Sequence, residues 1–116
     1  MIYKAVFHID MDDEKALEIG LINVTNLLKT IQRQPHDLVM LFNGPAVNAL
    51  IEKNCVNHAT KIIELQKKAV AFKVCNLALT NFEIQTEELV PDCEIVPAGI
   101  VTLIELQNEG YAYIKP

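Results

Sequence analysis

"DLVMLFNGP", residues 37–45, sets five consecutive apolar residues between an aspartate and an Asn-Gly-Pro turn. A strand with one face in water alternates apolar and polar side chains. This one does not, which is the pattern of a parallel strand covered by helices on both faces. The turn that follows leads into a short helix through "AVNALIE", residues 46–52.

Working outward, the same grammar repeats. "KAVFHI" (4–9) is the first strand, and "DMDDEK" (10–15) supplies helix-start chemistry, with Asp12 or Asp13 as the N-cap. Leu17, Leu21, Val24, Leu28 and Ile31 recur three and four apart, so a helix is predicted from Glu14 to about Arg33. It stops at Gln34-Pro35, because the residue before a proline is pushed out of the α region. "NCVNH" (54–58) breaks the pattern, and Asn57 is read as the cap of a helix through "ATKIIELQKKA". "VAFKVCNLAL" (70–79) is the third strand, with a short helix after Cys75 and another at "TEEL", capped by Thr86. "EIVPAG" (94–99) is the fourth strand. "IVTLIELQNEG" is a helix stopped by Gly110, and "YAYIKP" the fifth strand. Strands alternating with helices predict one α/β domain over residues 1–116, three layers with a mainly parallel five-stranded sheet, Rossmann- or flavodoxin-like.

Composition excludes several functions. A hydrophobic fraction of 51% is high for 116 residues and implies elements buried on both faces or a subunit interface. The mean hydropathy of +0.21 points the same way. No apolar run approaches the roughly 20 residues that cross a bilayer, so no membrane association is expected. The first ten residues, "MIYKAVFHID", lack signal-peptide organisation. Three cysteines with no C-x-x-C pair argue against a disulfide framework and for the reducing cytoplasm. A net charge of −5 disfavours nucleic acid, which calls for a basic face. The only basic doublet, Lys67-Lys68, sits where a helix C-terminus favours cations. "CVNH" (55–58) has C-x-x-H spacing, but no second pair completes a zinc site, so no metal and no cofactor are expected. Acidic residues after the first strand and Lys115 suggest a phospho-acceptor receiver, which needs an aspartate at the end of strand three. Cys75-Asn76 stands there instead.

In an open parallel sheet, ligands gather beyond the carboxyl ends of the strands. Those ends carry His8 and Asp10, then Asn43-Gly44-Pro45, then Cys75-Asn76, then Pro97-Ala98-Gly99. Small, polar and reactive residues thus converge on one rim from four parts of the chain. Cys55 falls in an inter-helix turn and Cys93 in a loop, so Cys75 alone has a strand-end setting where a following helix favours a thiolate. The plainer reading keeps Cys75 as a small buried hydrophobe and His8 as a structural strand residue.

The segments "KAVFHID", "LVMLFNGPAV", "AFKVCNLAL" and "EIVPAGIVTLIELQNEGYAYIKP" together resemble the DsrE/DsrF-like family over nearly the whole chain. The likeness is most specific at Asn43-Gly44-Pro45, at Val74-Cys75-Asn76, and from Pro97-Ala98-Gly99 through Tyr113. It implies a cytoplasmic α/β protein assembled as a homo-oligomer, a trimer or hexamer, and engaged in sulfur trafficking. Cys75 is the implied acceptor, taking sulfane sulfur as a persulfide from a donor protein and passing it on, as a sulfurtransferase or carrier subunit. His8 is a candidate proton shuttle, and Asn43, Gly44, Asn76 and Gly99 candidate binding residues. From another class, the chain could be a non-catalytic oligomeric module whose rim holds a small anion or a partner.

Overall fold

The computed structural model describes residues 1–116. Strands β1 (Tyr3–Ile9), β2 (His36–Phe42), β3 (Ala71–Cys75), β4 (Glu94–Val96) and β5 (Ala112–Ile114) form one all-parallel sheet in the order β4-β3-β2-β1-β5. Helices α1 (Glu14–Ile31), α2 (Ala59–Lys67), α3 (Asn76–Asn81) and α4 (Gly99–Asn108) make the crossovers, with 3₁₀ turns at Gly44–Leu50, Glu52–Asn54 and Thr86–Glu88. The predicted three-layer α/β architecture is what the chain adopts. No helix is long and apolar enough to cross a membrane.

The first four strands step one way across the sheet, so α1, α2 and α3 share one face. Phe7, Ile9, Leu38, Met40, Phe42, Phe72 and Val74 point into that face and meet Leu17, Leu21, Val24, Ile62, Leu65 and Leu79. The last crossover runs back over the sheet, which leaves α4 alone on the other side. There Leu103 and Leu106 pack on Val6, Val39 and Leu41. The unbroken apolar run of β2 is therefore explained residue by residue: Leu38, Met40 and Phe42 serve one core, and Val39 and Leu41 the other.

The stretch 70–79 divides at Cys75, where the sequence reading sets the strand end and a short helix after it: Asn76–Asn81 turns helical and buries Ala78 and Leu79. Several boundaries differ from the sequence expectation, each for a local reason. The fourth strand stops at Val96, and Gly99 is the first residue of α4. Helix α2 is capped at His58 rather than Asn57. At the "TEEL" turn Gln85 takes the cap position in place of Thr86, closing a reciprocal box with Glu88. Helix α1 ends at Ile31, two residues before Arg33, and Asp13 caps it by accepting from the Lys15 backbone N–H at 2.9 Å. Asp10 plays no part in that cap. It accepts a hydrogen bond from Lys115 Nζ at 2.8 Å.

Candidate functional site

Register alone assembles the rim. Phe42 pairs with Ile9 on one side and Val74 on the other, so the next residue, Asn43, lies between Asp10 and Cys75. Cys75 in turn pairs with Val96, just before the Pro97-Ala98 approach to α4. Side-chain alternation then assigns faces. His8 follows Val6, Asn43 follows Leu41, and all four side chains belong to the face that α4 covers.

Gly99 shows how tightly these parts meet. A Cβ there would stand 2.9 Å from Asn43 Cβ, 3.2 Å from Leu41 Cδ2 and 3.4 Å from Cys75 Cβ. The first turn of α4 therefore abuts Asn43 and Cys75 directly, and its N-cap, Ala98, has no side chain to satisfy the first N–H groups. Gly99→Ala is expected to destabilise the protein. Overpacking costs about 1–3 kcal/mol, while alanine's helix advantage over glycine returns at most about 1 kcal/mol. A urea midpoint equal to or above wild type would show that Asn43 yields freely. Gly44 has a different reason to be glycine: its φ is +54°, and a Cβ would meet the Asp10 carbonyl oxygen at 3.3 Å.

His8 is 8% exposed, and both ring nitrogens are engaged. Nδ1 lies 2.6 Å from the Tyr113 hydroxyl, and Nε2 lies 2.7 Å from Asn43 Oδ1. Strand β2 separates β1 from β3, so His8 reaches the Cys75 corner only through Asn43. Beside it the Lys115 ammonium, hydrogen-bonded to Asp10, holds that carboxyl below its ordinary value. Tyr113 and Lys115 were not singled out as site residues by the sequence reading. Their placement depends on β5 docking against β1, where Tyr113 pairs with Val6, and no local pattern announces that pairing.

Asn76 opens α3 on the exposed side of the rim. It lines a shallow depression with Thr80, Glu83 and Thr86, apart from the Gly99 contact.

The three thiols are all free and differ sharply in setting. Cys75 is 6% exposed at the carboxyl rim. Cys55 is buried elsewhere, its Sγ directed at the Glu52 carbonyl at 3.7 Å, and burial, with Glu52 adding, raises its pKa. Cys93 stands just before β4, at the opposite rim, and its pKa is pushed up to about 12 by burial, then by Cys55 and Asp92.

The C-x-x-H pair does not converge on one point, since Cys55 turns inward while His58 faces α1. His58 Nε2 sits 3.1 Å from Glu14 Oε1 and 3.8 Å from Glu18 Oε1. These three ligand atoms lie within 4.8 Å of one another. Two of the three are exposed glutamates on one turn of α1, and the arrangement is that of a surface ion pair tying α2 to α1.

Residues 4–116 match the model of the DsrE/DsrF-like family. Among solved structures, a protein of unknown function, MTH1491 from Methanobacterium thermoautotrophicum, superimposes with a TM-score of 0.89 at 28% identity. The match covers 98% of this chain and 99% of that one. No curated protein matches.

Proposed function

Because the chain belongs to the DsrE/DsrF-like family, we propose that it is a sulfur-relay protein that carries sulfane sulfur as a persulfide on Cys75. The observation that carries this reading is the meeting of Cys75, Asn43 and the uncapped start of α4 at Gly99. The Cys75 thiolate attacks the outer sulfur of a donor persulfide, R–S–SH. The donor S–S bond breaks, R–S⁻ leaves, and Cys75–S–SH forms with no net oxidation. At rest the outer sulfur is ionised; once it is reprotonated an acceptor thiolate attacks it, the S–S bond breaks, the proton leaves with the new persulfide, and the Cys75 thiolate is returned. Backbone N–H groups and polar side chains at the rim favour the anionic forms.

Cys75 is only 6% exposed, which suits the transfer of one small sulfur atom and limits the contact of a persulfide with reductants. Leu77 on α3 and Val101 on α4 are exposed, 64% and 52% respectively, an apolar margin beside the rim on which donor and acceptor proteins can dock. In this reading the chain is a carrier or sulfurtransferase subunit of the cytoplasm, where three free thiols persist.

The test is incubation with inorganic polysulfide at pH 8 and intact-mass measurement. One added sulfur mass is expected, mapped to Cys75, with Cys55 and Cys93 unlabelled. Labelling at either of those would overturn the assignment. An unreactive Cys75, together with stabilisation by small anions that survives Cys75→Ala, would instead make the rim a non-catalytic binding module.

Self-association is part of the same proposal. Ile100 and Ile104, one turn apart on α4, are both more than half exposed, and Tyr113 is 42% exposed on the same side of the sheet. An apolar helix face left open in this way is the kind of surface that copies of a chain cover. Sedimentation at micromolar concentration is expected to give a trimer or hexamer, and Ile104→Glu to lower the mass. A monomeric wild type would end this part of the reading.

A further inference from the structure

We propose that Tyr113 is a positioning residue. Acting through His8, it turns the amide NH₂ of Asn43 outward as the donor for an anionic terminal sulfur at Cys75. The inference rests on the reading of Cys75 as the sulfur-bearing residue and adds how its anion is recognised.

The argument starts from donors and acceptors. A phenol is a better donor than acceptor, and the Tyr113 hydroxyl stands 2.6 Å from His8 Nδ1. When the hydroxyl donates, Nδ1 carries no proton and the neutral ring places its hydrogen on Nε2. That N–H then requires an acceptor, and the amide oxygen of Asn43 stands 2.7 Å away. With Oδ1 so occupied, Asn43 Nδ2 lies on the other side of the amide. Its two N–H bonds find no partner within the protein, and no buried side-chain nitrogen or oxygen is left unsatisfied, so Nδ2 opens to the rim. Asn43 Cβ and Cys75 Cβ both lie against Gly99, so the amide that carries those free donors is rooted beside the cysteine. The opposite direction of the chain would leave the amide oxygen facing the rim, where it repels a thiolate or persulfide anion.

Tyr113 is 42% exposed, and its ring is tilted 60° to His8 with centroids 5.6 Å apart, so it meets the imidazole both through the ring and through the hydroxyl. The exposed donors suit a small anion, and with sulfur carried on Cys75 that anion is the terminal sulfur of its persulfide. Neutral thiols and thioethers, weak acceptors, gain less from two amide N–H donors.

Two measurements test it, and neither requires that sulfur be carried. Long-range ¹H–¹⁵N spectra at pH 8 are expected to show His8 as the Nε2–H tautomer in the wild type and a mixture of tautomers in Tyr113→Phe. The charged and titratable groups around the ring, Asp10 and Lys115, are unchanged in that variant. The rate of Cys75 alkylation by iodoacetamide at pH 7 is expected to fall about tenfold in Asn43→Asp, where a donor becomes a negative acceptor. In Tyr113→Phe it is expected to fall about threefold, in the same direction, measured under conditions where both proteins remain folded, since loss of the hydroxyl also lowers the unfolding midpoint. An Nδ1–H tautomer in the wild type overturns the proposal, as does a Tyr113→Phe protein with wild-type tautomer and alkylation rate. Failure of polysulfide loading alone, with both results as expected, refutes the carrier reading and leaves the hydrogen-bond chain standing.

Discussion

Cys75→Ala is expected to abolish sulfur loading completely while leaving the fold intact. The asymmetry follows from where the atom sits. The sulfur is the only thiol beside the Gly99 contact, whereas burial, with Glu52 adding at Cys55 and Cys55 and Asp92 at Cys93, pushes the pKa of the other two thiols up. Neither can substitute for it at neutral pH. Structurally, alanine keeps the Cβ that abuts Gly99 and removes one buried sulfur, a deletion of about 1 kcal/mol. Intact mass after polysulfide treatment reads the first effect and urea unfolding the second. Residual loading above a tenth of wild type would move the acceptor to another thiol.

Phe42→Ala is expected to do the reverse, leaving Cys75 in place and removing the floor beneath the rim. Phe42 is fully buried in the larger core, stacked on Phe72 with ring centroids 6.1 Å apart. Truncating such a ring costs about 3–5 kcal/mol, a large part of the roughly 5–15 kcal/mol that stabilises a domain. The melting temperature should fall by on the order of 15–30 °C. Since Asn43 is the next residue, its hydrogen bond to His8 loses its backbone anchor as well. A loss below about 1 kcal/mol would mean that the cavity closes by rearrangement, contrary to the close packing described.

The fold was legible because its strands write their environment into their pattern. The five apolar residues from Leu38 to Phe42 require cover on both faces, and Asp13 and Gln34-Pro35 bracket α1 from the sequence. The rim was legible for the same reason: strand ends can be found one at a time, and parallel topology gathers them. The neighbours were not. His8 and Cys75 are both rim residues, yet β2 stands between their strands, and strand order is decided by crossovers that no local segment encodes. The strand end at Cys75 and the short helix after it were legible, but "NLAL" does not say which of its apolar residues are buried. Helix α3 buries Ala78 and Leu79 and leaves Leu77 out, a choice made by the core beneath it. Tyr113 escaped notice because its role is set by a partner 105 residues away.

That separation gives β5 a temporal meaning. Strands β1 to β4 can pair in the order in which they emerge during synthesis, each next to its predecessor, while the outer edge of β1 has no neighbour until Ala112–Ile114 arrives. Its backbone N–H and C=O groups remain open to other chains throughout that interval. The same three residues then close the edge and deliver the hydroxyl to His8, and Lys115 joins Asp10. Completion of the site is thus a readout of completed folding: a molecule whose sheet has not yet closed holds the cysteine but not the hydrogen-bond chain beside it.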